Sequence, residues 1–518
     1  MASTTPVLMI VAVALLVIYV SRRLLFRPPR LNLPPGPTPL PIIGCMHLLG
    51  KPIYKSLADL AQKYGPLMSL QLGQKLCIVA TSAEAAKEFL KVQDANFSSR
   101  PPTRAAELIL PNDLFNHDMT PVLRHLRKIL VSELISAKRV EASKHIRTEE
   151  LACMVYTISK QTAPIRLKTQ FHIMVTNVLT RMILNKRFLG QEQGQGQEQG
   201  EPNVSEIHEF IEIMEELPLC FGAIHLQDLF TCIPKWLDLQ GLDARFRKIK
   251  SRMDVFYTNM ISQHREERRR NPVSEEHKTL LDVLLEELEK PEQGVTEDNV
   301  NGLIWDILAA GTDTTMLTCE WAMAEILRNP TVLEQATSEL DQVIGHNRLV
   351  QESDIPELKY MQAIVKEVLR LHPVAPMLIP HQNTHLTKAF GYNIPTQTRL
   401  FVNVWAMGRD PCVWEEPLEF RPERFLEGGV HGNTKFEGQH FEYLPFGSGR
   451  RSCLGLALAS IEVHLMVASL VHAFEWSFLD GVDAERLDMT EGESFFVHLR
   501  DPLMVVAKSR LPSHLYQC

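Results

Sequence analysis

One stretch governs what this chain can fold into. Between Thr296, whose hydroxyl suits a helix N-cap, and Pro330, which ends any helix before it, the sequence reads as a single helix. At ~1.5 Å per residue it would run about 50 Å, the width of a whole domain, so the rest of the chain must be laid around it. Its middle is flawed. "AAGTDTT", residues 309–315, sets a glycine and three threonines where alanine or leucine would serve better, and the glycine alone costs about 1 kcal/mol. Two readings stay open. Threonine hydroxyls bonding back to carbonyls a turn earlier can bend the helix, or a groove opens at Gly311 and Asp313 and Thr314 present an acid and a hydroxyl to something bound against it.

The chain has 518 residues, 45% of them hydrophobic, enough to bury a large core around such a helix. A net charge of −8 excludes the basic surface a nucleic-acid partner needs. Nine cysteines are scattered singly, with no C-x-x-C pair and no spacing that reads as a disulfide or zinc framework, which suits a reducing compartment. The N-terminus is different. "PVLMIVAVALLVIYV", residues 6–20, is unbroken apolar sequence followed by Arg22, Arg23, Arg27 and Arg30. A cleaved signal peptide has this form too, but no small-x-small site follows, and residues 2–5 lengthen the run toward the ~20 residues a bilayer needs. Residues 1–23 are therefore predicted as a transmembrane signal-anchor whose arginines keep the body cytosolic. Residues 24–44, basic and then rich in proline, read as a stiff hinge, and residues 45–518 as the body.

Within the body, residues 66–82 alternate like a strand pair, and "SAEAAKEFLKV" follows as a capped helix. Residues 190–202, "GQEQGQGQEQGEP", offer nothing apolar to bury and read as a solvated loop. "QHREERRRNP", residues 263–272, reads as a solvated helix end or as a contact with a membrane surface or partner. "MQAIVKEVLRLHP" is a helix on which Glu367 and Arg370 share a face. Residues 399–407 alternate like a strand, and residues 408–429 are too rich in Pro and Gly for regular structure, so this long connection must be functional or pinned.

Near the end stands "PFGSGRRSCLG", residues 445–455. A cysteine thiolate is a soft metal ligand that needs an electropositive, donor-rich setting. Gly447, Gly449 and Gly455 let backbone N–H groups turn toward the sulfur of Cys453, Arg450 and Arg451 add positive charge, and the apolar helix that follows offers its N-terminal dipole.

With these residues in view the chain resembles the cytochrome P-450 family of haem-thiolate monooxygenases. The family's cysteine loop is matched by Phe446, Gly449, Arg451, Cys453 and Gly455, and its oxygen-activation motif by Ala310, Gly311, Asp313, Thr314 and Thr315. Its E-x-x-R is matched by Glu367 and Arg370, and its P-E-R-F by residues 422–425. The resemblance implies a mainly α fold with small β-sheets behind an N-terminal transmembrane anchor. It implies heme b with Cys453 as the axial iron ligand, and Asp313 and Thr314 as the catalytic proton-delivery pair. Cofactor contacts are expected from Arg127, His381, Phe446, Gly449, Arg451, Gly455, Ala310 and Gly311, and a structural triad from Glu367, Arg370 and Arg424. It further implies NADPH electrons through NADPH-cytochrome P-450 reductase, and residence in the endoplasmic reticulum membrane. Two positions depart from the pattern: Leu123 stands where the family usually has a tryptophan that donates to a haem propionate, and Leu454 where plant relatives commonly carry proline.

"LPPGP", "EWAMAE", "KEVLRLHP", "FVNVWAMGRDP" and "GQHFEYLPFGSGRR" are similar in form to the plant microsomal branch, near the flavone-synthase, isoflavone-synthase and flavonoid or phenylpropanoid hydroxylase group. The substrate class so implied is a small apolar aromatic, a flavonoid first and a hydroxycinnamate next. A terpenoid hydroxylase and a haem-thiolate isomerase or dehydratase that uses no dioxygen are the alternatives. Residues 100–118, 217–229, 305–311 and 374–379 are the expected pocket linings, with His117, Asp118 or Asp306 available to orient a phenol.

Overall fold

Apolar residues spaced three and four apart recur through most of the chain, and the computed structural model, which describes residues 31–189, 204–272, 274, 278–479 and 484–517, is built mainly from helices. The anchor expected in residues 1–23, the first part of the hinge and the loop expected in residues 190–202 lie outside the described residues. In chain order the principal helices are α1 (Ile53–Tyr64), α2 (Pro121–Leu130), α3 (Lys144–Lys160), α4 (Leu167–Leu184), α5 (Val204–Gly222), α6 (Leu242–Arg270), α7 (Glu297–Arg328), α8 (Pro330–Val343), α9 (Lys359–Leu371) and α10 (Leu456–Ala473). Shorter turns connect them.

Three small sheets flank the helices. The largest has the strand order β1 (Leu67–Leu72), β2 (Lys75–Ala80), β7 (Arg399–Val402), β4 (His381–Gln382). The strand pair predicted at residues 66–82 forms with Leu67 opposite Ala80, and β2 runs parallel to β7 with Cys77 opposite Arg399. A second sheet joins β3 (Ile165–Arg166), β9 (Met504–Ser509) and β8 (Phe474–Phe478), and β5 (Thr387–Ala389) and β6 (Tyr392–Ile394) make a hairpin. The alternation at residues 399–407 gives only half a strand. Asn403 accepts the Ala406 N–H with its side chain and so caps a short helix, Val404–Met407.

The proline-rich stretch is extended, as its prolines require, and from residue 31 on it is fastened to β1. Ser69 N–H donates to Pro35 O at 2.8 Å, the Ser69 hydroxyl donates to Pro34 O at 2.7 Å, and Cys45 N–H donates to Gln71 O at 2.6 Å.

Helix α7 organises the core. Thr296 caps it reciprocally with Asn299, and Asn329 ends it before Pro330. The bend allowed by "AAGTDTT" does not occur as a break: the helix runs through from Glu297 to Arg328. From Asn299 to Leu327 every residue is buried except Ala309, Ala310, Gly311 and Thr314, so the one opening in its burial falls on the motif. Helices α4, α9 and α10 pack around α7. Trp321 of α7 stacks on His372 with ring centres 3.8 Å apart and planes 5° from parallel. His372 Nε2 lies 2.7 Å from Glu325 Oε1, which locks α7 to the end of α9. Among the described residues α10 is long and apolar enough to cross a membrane, but its side chains are mostly buried in the core.

Candidate active site

The cysteine loop is built by backbone turns before it is built by charge. Gly447 and Gly449 sit at φ +69° and +74°, the left-handed region that costs an L-residue about 1–2 kcal/mol. At Gly449 a Cβ would also lie 2.3 Å from Leu90 O and 2.8 Å from Asp94 Oδ1. Gly455 is different: at φ −83° it needs no glycine freedom, and a Cβ there would meet Cys453 Sγ at an ordinary 4.0 Å. Its contribution is its N–H, which with that of Leu456 at the start of α10 points at the sulfur. Burial raises the Cys453 thiol pKa, and these two N–H groups pull it back. Cys453 is nevertheless exposed, so its sulfur is desolvated by its surroundings yet within reach of a ligand. Gly449→Ala is expected to cut the haem-loaded fraction several-fold, read as the carbon-monoxide difference band per mass of protein, whereas Gly455→Ala leaves it near wild type.

The two arginines of the loop divide. Arg451 spends its guanidinium on three carbonyls, Ser98 O at 2.8 Å, Leu114 O at 2.9 Å and His117 O at 2.7 Å. Arg450 is exposed and pairs with Asp94 at 3.3 Å, while its carbonyl accepts from Arg127 at 2.9 Å. Beside Arg451 lies Arg100, held to Ile379 O at 2.7 Å, Pro380 O at 2.9 Å and Phe115 O at 2.9 Å. Burial, with Arg451 adding repulsion, lowers the Arg100 pKa to about 9. His381 donates Nδ1–H to Phe97 O at 2.8 Å, and burial followed by the nearness of Arg100 brings its pKa down to about 3. Asp113 and Asp118 lie near enough to both arginines to offset part of the cost of burial, and a ligand edge that carries anions adds further countercharge. The donor set therefore fits haem: a soft sulfur on one side and cations for two propionates at the rim. Arg100 escaped the sequence reading, which took it only as the edge of a lining segment. Its one local signal is its place directly before Pro101 and Pro102, which favours extended backbone.

On the other side stands α7. Thr314 donates Oγ1–H to Ala310 O at 2.6 Å, and Thr318 donates to Thr314 O at 2.8 Å. Gly311 does not frame a groove, because the direction its Cβ would take is filled by Leu179 of α4, 2.7 Å away. The opening lies instead along Ala309, Ala310 and Thr314. Asp313 is buried, and burial lifts its pKa to about 7 against a smaller lowering by Lys168. Thr314 and Thr318 share one hollow with Leu369, Val374, Ala459 and Phe446 of the cysteine loop, so the structure brings the distal turn and the thiolate loop to the same space. Leu123, where a tryptophan was expected, is buried in the core.

Of the side chains expected to orient a substrate phenol, all three are engaged by the protein itself. Asp306 accepts Leu114 N–H at 2.8 Å, Asp118 accepts Arg100 N–H at 3.1 Å, and His117 Nδ1 lies 2.8 Å from Asp113 Oδ1. Trp305 faces an aromatic cluster with Phe210 and Phe256.

The third part is the support beneath the loop. Glu367 and Arg370, one turn apart on α9, meet in two bonds of 2.7 and 2.8 Å, and Arg424 reaches Glu367 Oε1 at 3.1 Å. All three are buried. Arg370 also donates to Gly408 O at 2.5 Å, Pro417 O at 2.7 Å and Glu419 O at 3.0 Å, and Arg424 to Glu415 O and Glu416 O. The irregular segment at residues 408–429 is thus pinned by guanidinium groups. Tyr443 OH donates to Lys366 O at 2.9 Å, and Phe436 bridges Tyr443 and Phe446, which carries the support on to the cysteine loop.

Comparison with known proteins gives the same answer by another route. Among curated relatives, the chain is 39% identical to a flavonoid 3'-monooxygenase of Petunia hybrida over 493 residues, 94% of each chain. It is 38% identical to a flavonoid 3',5'-hydroxylase of Campanula medium over 510 residues, 95% of each chain, and 38% identical to cytochrome P450 93A2 of Glycine max over 488 residues, 93% of each. The profile of the family described as Cytochrome P450 matches residues 34–505. A match that runs from the proline-rich stretch into β9 takes in every element that builds the site, and the chain belongs to the cytochrome P450 family.

Proposed function

We propose that the protein is a membrane-anchored haem-thiolate monooxygenase that hydroxylates the aromatic ring of a flavonoid, with NADPH electrons delivered by a reductase. The observation that carries this reading is the buried acid beside a hydroxyl on the hollow shared with the cysteine loop. Asp313, with a pKa of about 7, exchanges a proton with water near neutrality. Thr314 anchors its hydroxyl proton on Ala310 O and leaves its oxygen lone pairs to accept from a neighbour. An isomerase or dehydratase that consumes no dioxygen has no use for such a pair. When bound, haem supplies the activation of dioxygen, with Cys453 as its sulfur ligand. The chain's own part is to hold that sulfur under two N–H groups, to neutralise the propionates with Arg100, Arg451 and Arg127, and to keep water out with Leu369, Val374 and Phe446.

Relatives named as a flavonoid 3'-monooxygenase and a flavonoid 3',5'-hydroxylase support a flavonoid substrate. Membrane residence is supported by an apolar edge. Trp236 is 81% and Ile42 55% exposed, and the two segments meet at the β1–β2 turn, where Gly73 N–H donates to Ile43 O at 3.1 Å and Gln74 N–H to Leu229 O at 2.9 Å. Aromatic and aliphatic side chains at such an edge suit the headgroup region of a bilayer.

The test is turnover by the full chain in microsomes with NADPH and a plant reductase, offered flavanones, hydroxycinnamates and triterpenoids. The expected product is a flavanone heavier by one oxygen on its ring. Turnover of a triterpenoid alone refutes the substrate class, and full activity without NADPH refutes the monooxygenase.

A further inference from the structure

Three consecutive carbonyls join the cysteine loop to the short strand β4. Phe97 O accepts from His381 Nδ1 at 2.8 Å, Ser98 O from Arg451 Nε at 2.8 Å, and Ser99 O from the Gln382 N–H at 2.9 Å. Arg100, the next residue, turns the other way and takes Ile379 O and Pro380 O, the two carbonyls before His381. His381, Arg100 and Arg451 are thereby knit into one cluster, which Arg451 ties to Cys453 two residues on. Arg100 and Arg451 are the charged groups that act on the His381 ring. Asp113 and Asp118 act on those two arginines, and Arg127 on Arg451, while Arg399 of the neighbouring β7 spends its guanidinium on Pro102 O and Asp228 O.

The bond to Phe97 fixes the tautomer. A carbonyl only accepts, so Nδ1 carries the hydrogen, and in the neutral ring Nε2 is left with a lone pair and nothing to donate. Burial and the two arginines hold the ring neutral, with a pKa of about 3. Nε2 has no partner among the described residues, yet it is not sealed into the packing as the unpartnered nitrogens of His264 and His464 are. A lone pair open to the rim is the wrong group for a carboxylate. Arginine keeps its charge at any physiological pH, whereas a histidine is neutral without anions beside it and cationic with them.

We propose that His381 takes up one proton on loading with haem, adding its charge to those of Arg100 and Arg451 against the propionates, and releases it as the pH rises above neutrality. The step moves one proton and no electrons: solvent supplies it to Nε2, and Nδ1 keeps its hydrogen on Phe97 O. Beside carboxylates the repulsion from the arginines is offset and a charge-assisted bond from Nε2–H favours the charged ring, which brings His381 back to the ordinary histidine range. A group whose pKa is raised by binding strengthens that binding below the raised pKa and loses the effect as the pH climbs through it. The protein therefore grips haem more tightly in mild acid than in mild base, through one side chain. The inference rests on the reading that this site takes haem.

The experiment uses the full-length protein with its haem and follows haem loss to an excess of an apo-globin. Each rate is divided by that of His381→Arg at the same pH, which cancels the titration of the thiolate and the propionates and leaves that of residue 381. For wild type the ratio is expected to rise about tenfold from about pH 5.5 to about pH 8, the change that one proton on an ordinary histidine gives. For His381→Gln it is expected to stay level. A level ratio for wild type, or the same rise in His381→Gln, overturns the proposal. His381→Lys takes the place of His381→Arg if that variant holds no haem, and failure of both cationic variants to hold haem overturns the proposal too, because a cation at this position is what it requires. Wild type without haem overturns this inference and the monooxygenase reading together, whereas haem held with a level ratio overturns this inference alone.

Discussion

Cys453→Ala is expected to abolish the carbon-monoxide difference band of thiolate haem and to take turnover below detection, while leaving the polypeptide soluble and folded. The first part follows from the donor set. The N–H groups of Gly455 and Leu456 converge on one sulfur, and Phe446 O, which accepts the Cys453 N–H at 2.9 Å, fixes the backbone so that no neighbouring side chain takes its place. The second follows from where the side chain points. It is exposed and no part of the packed core, so removing it opens no cavity in the interior. What stability is lost is the cofactor's binding contribution, which disappears with the ligand. Absorption spectra of the reduced protein with carbon monoxide, beside circular dichroism of the same sample, check both halves. A persisting band refutes Cys453 as the ligand, and a collapsed dichroism spectrum refutes the claim that the loop's sulfur is not part of the core.

Glu367→Gln is expected to cost about 3–5 kcal/mol, the penalty for removing one partner from a buried ion pair, out of a total folding stability of about 5–15 kcal/mol. Here the burden is larger than one bond. Glu367 accepts from two nitrogens of Arg370, Nε and Nη2, from Arg424 and from the backbone N–H of Arg421 at 2.8 Å. Glutamine keeps one acceptor oxygen and turns an NH2 group toward two guanidiniums. Arg370→Lys is expected to fall nearly as far, because an ammonium cannot reach Glu367 and the carbonyls of Gly408, Pro417 and Glu419 at once. Unfolding midpoints in denaturant and the yield of haem-loaded protein measure the effect. If Glu367→Gln unfolds within about 1 kcal/mol of wild type, less than the ~1.5–3 kcal/mol of a single hydrogen bond to a charged group, the triad is not the support of the cysteine loop.

Much of this was legible in the order of residues, and the exceptions share a cause. Thr296 and Pro330 bound α7 because caps and proline act within one turn. Asp313 and Thr314 were readable as an acid beside a hydroxyl, and the strands at residues 67–80 as alternation, because both are local. Gly311 was misread because its neighbour, Leu179, is far away in sequence. Arg100 was missed, and Arg451 was given charge and a cofactor contact but not its backbone partners, for the same reason: those partners are carbonyls at residues 379 and 380, and 98, 114 and 117, groups every residue carries and no motif can mark. Gly455 was grouped with Gly447 and Gly449 since composition does not reveal φ. The strand at residues 399–407 stopped early because Asn403 finds a better use for its side chain as a cap than in a pleat.

Leu114 belongs to two worlds at once. Its N–H is taken by Asp306 of the long helix and its carbonyl by Arg451 of the cysteine loop. A spacer one residue long therefore ties those two walls together and limits how far apart they can stand, much as a washer sets the gap between plates. Side chains that only paint the walls, among them Val374 and Leu369, are free to vary in bulk and reshape the room without changing its height. A lineage built on this frame can trade one flat guest for another while the machinery that oxidises it keeps its dimensions.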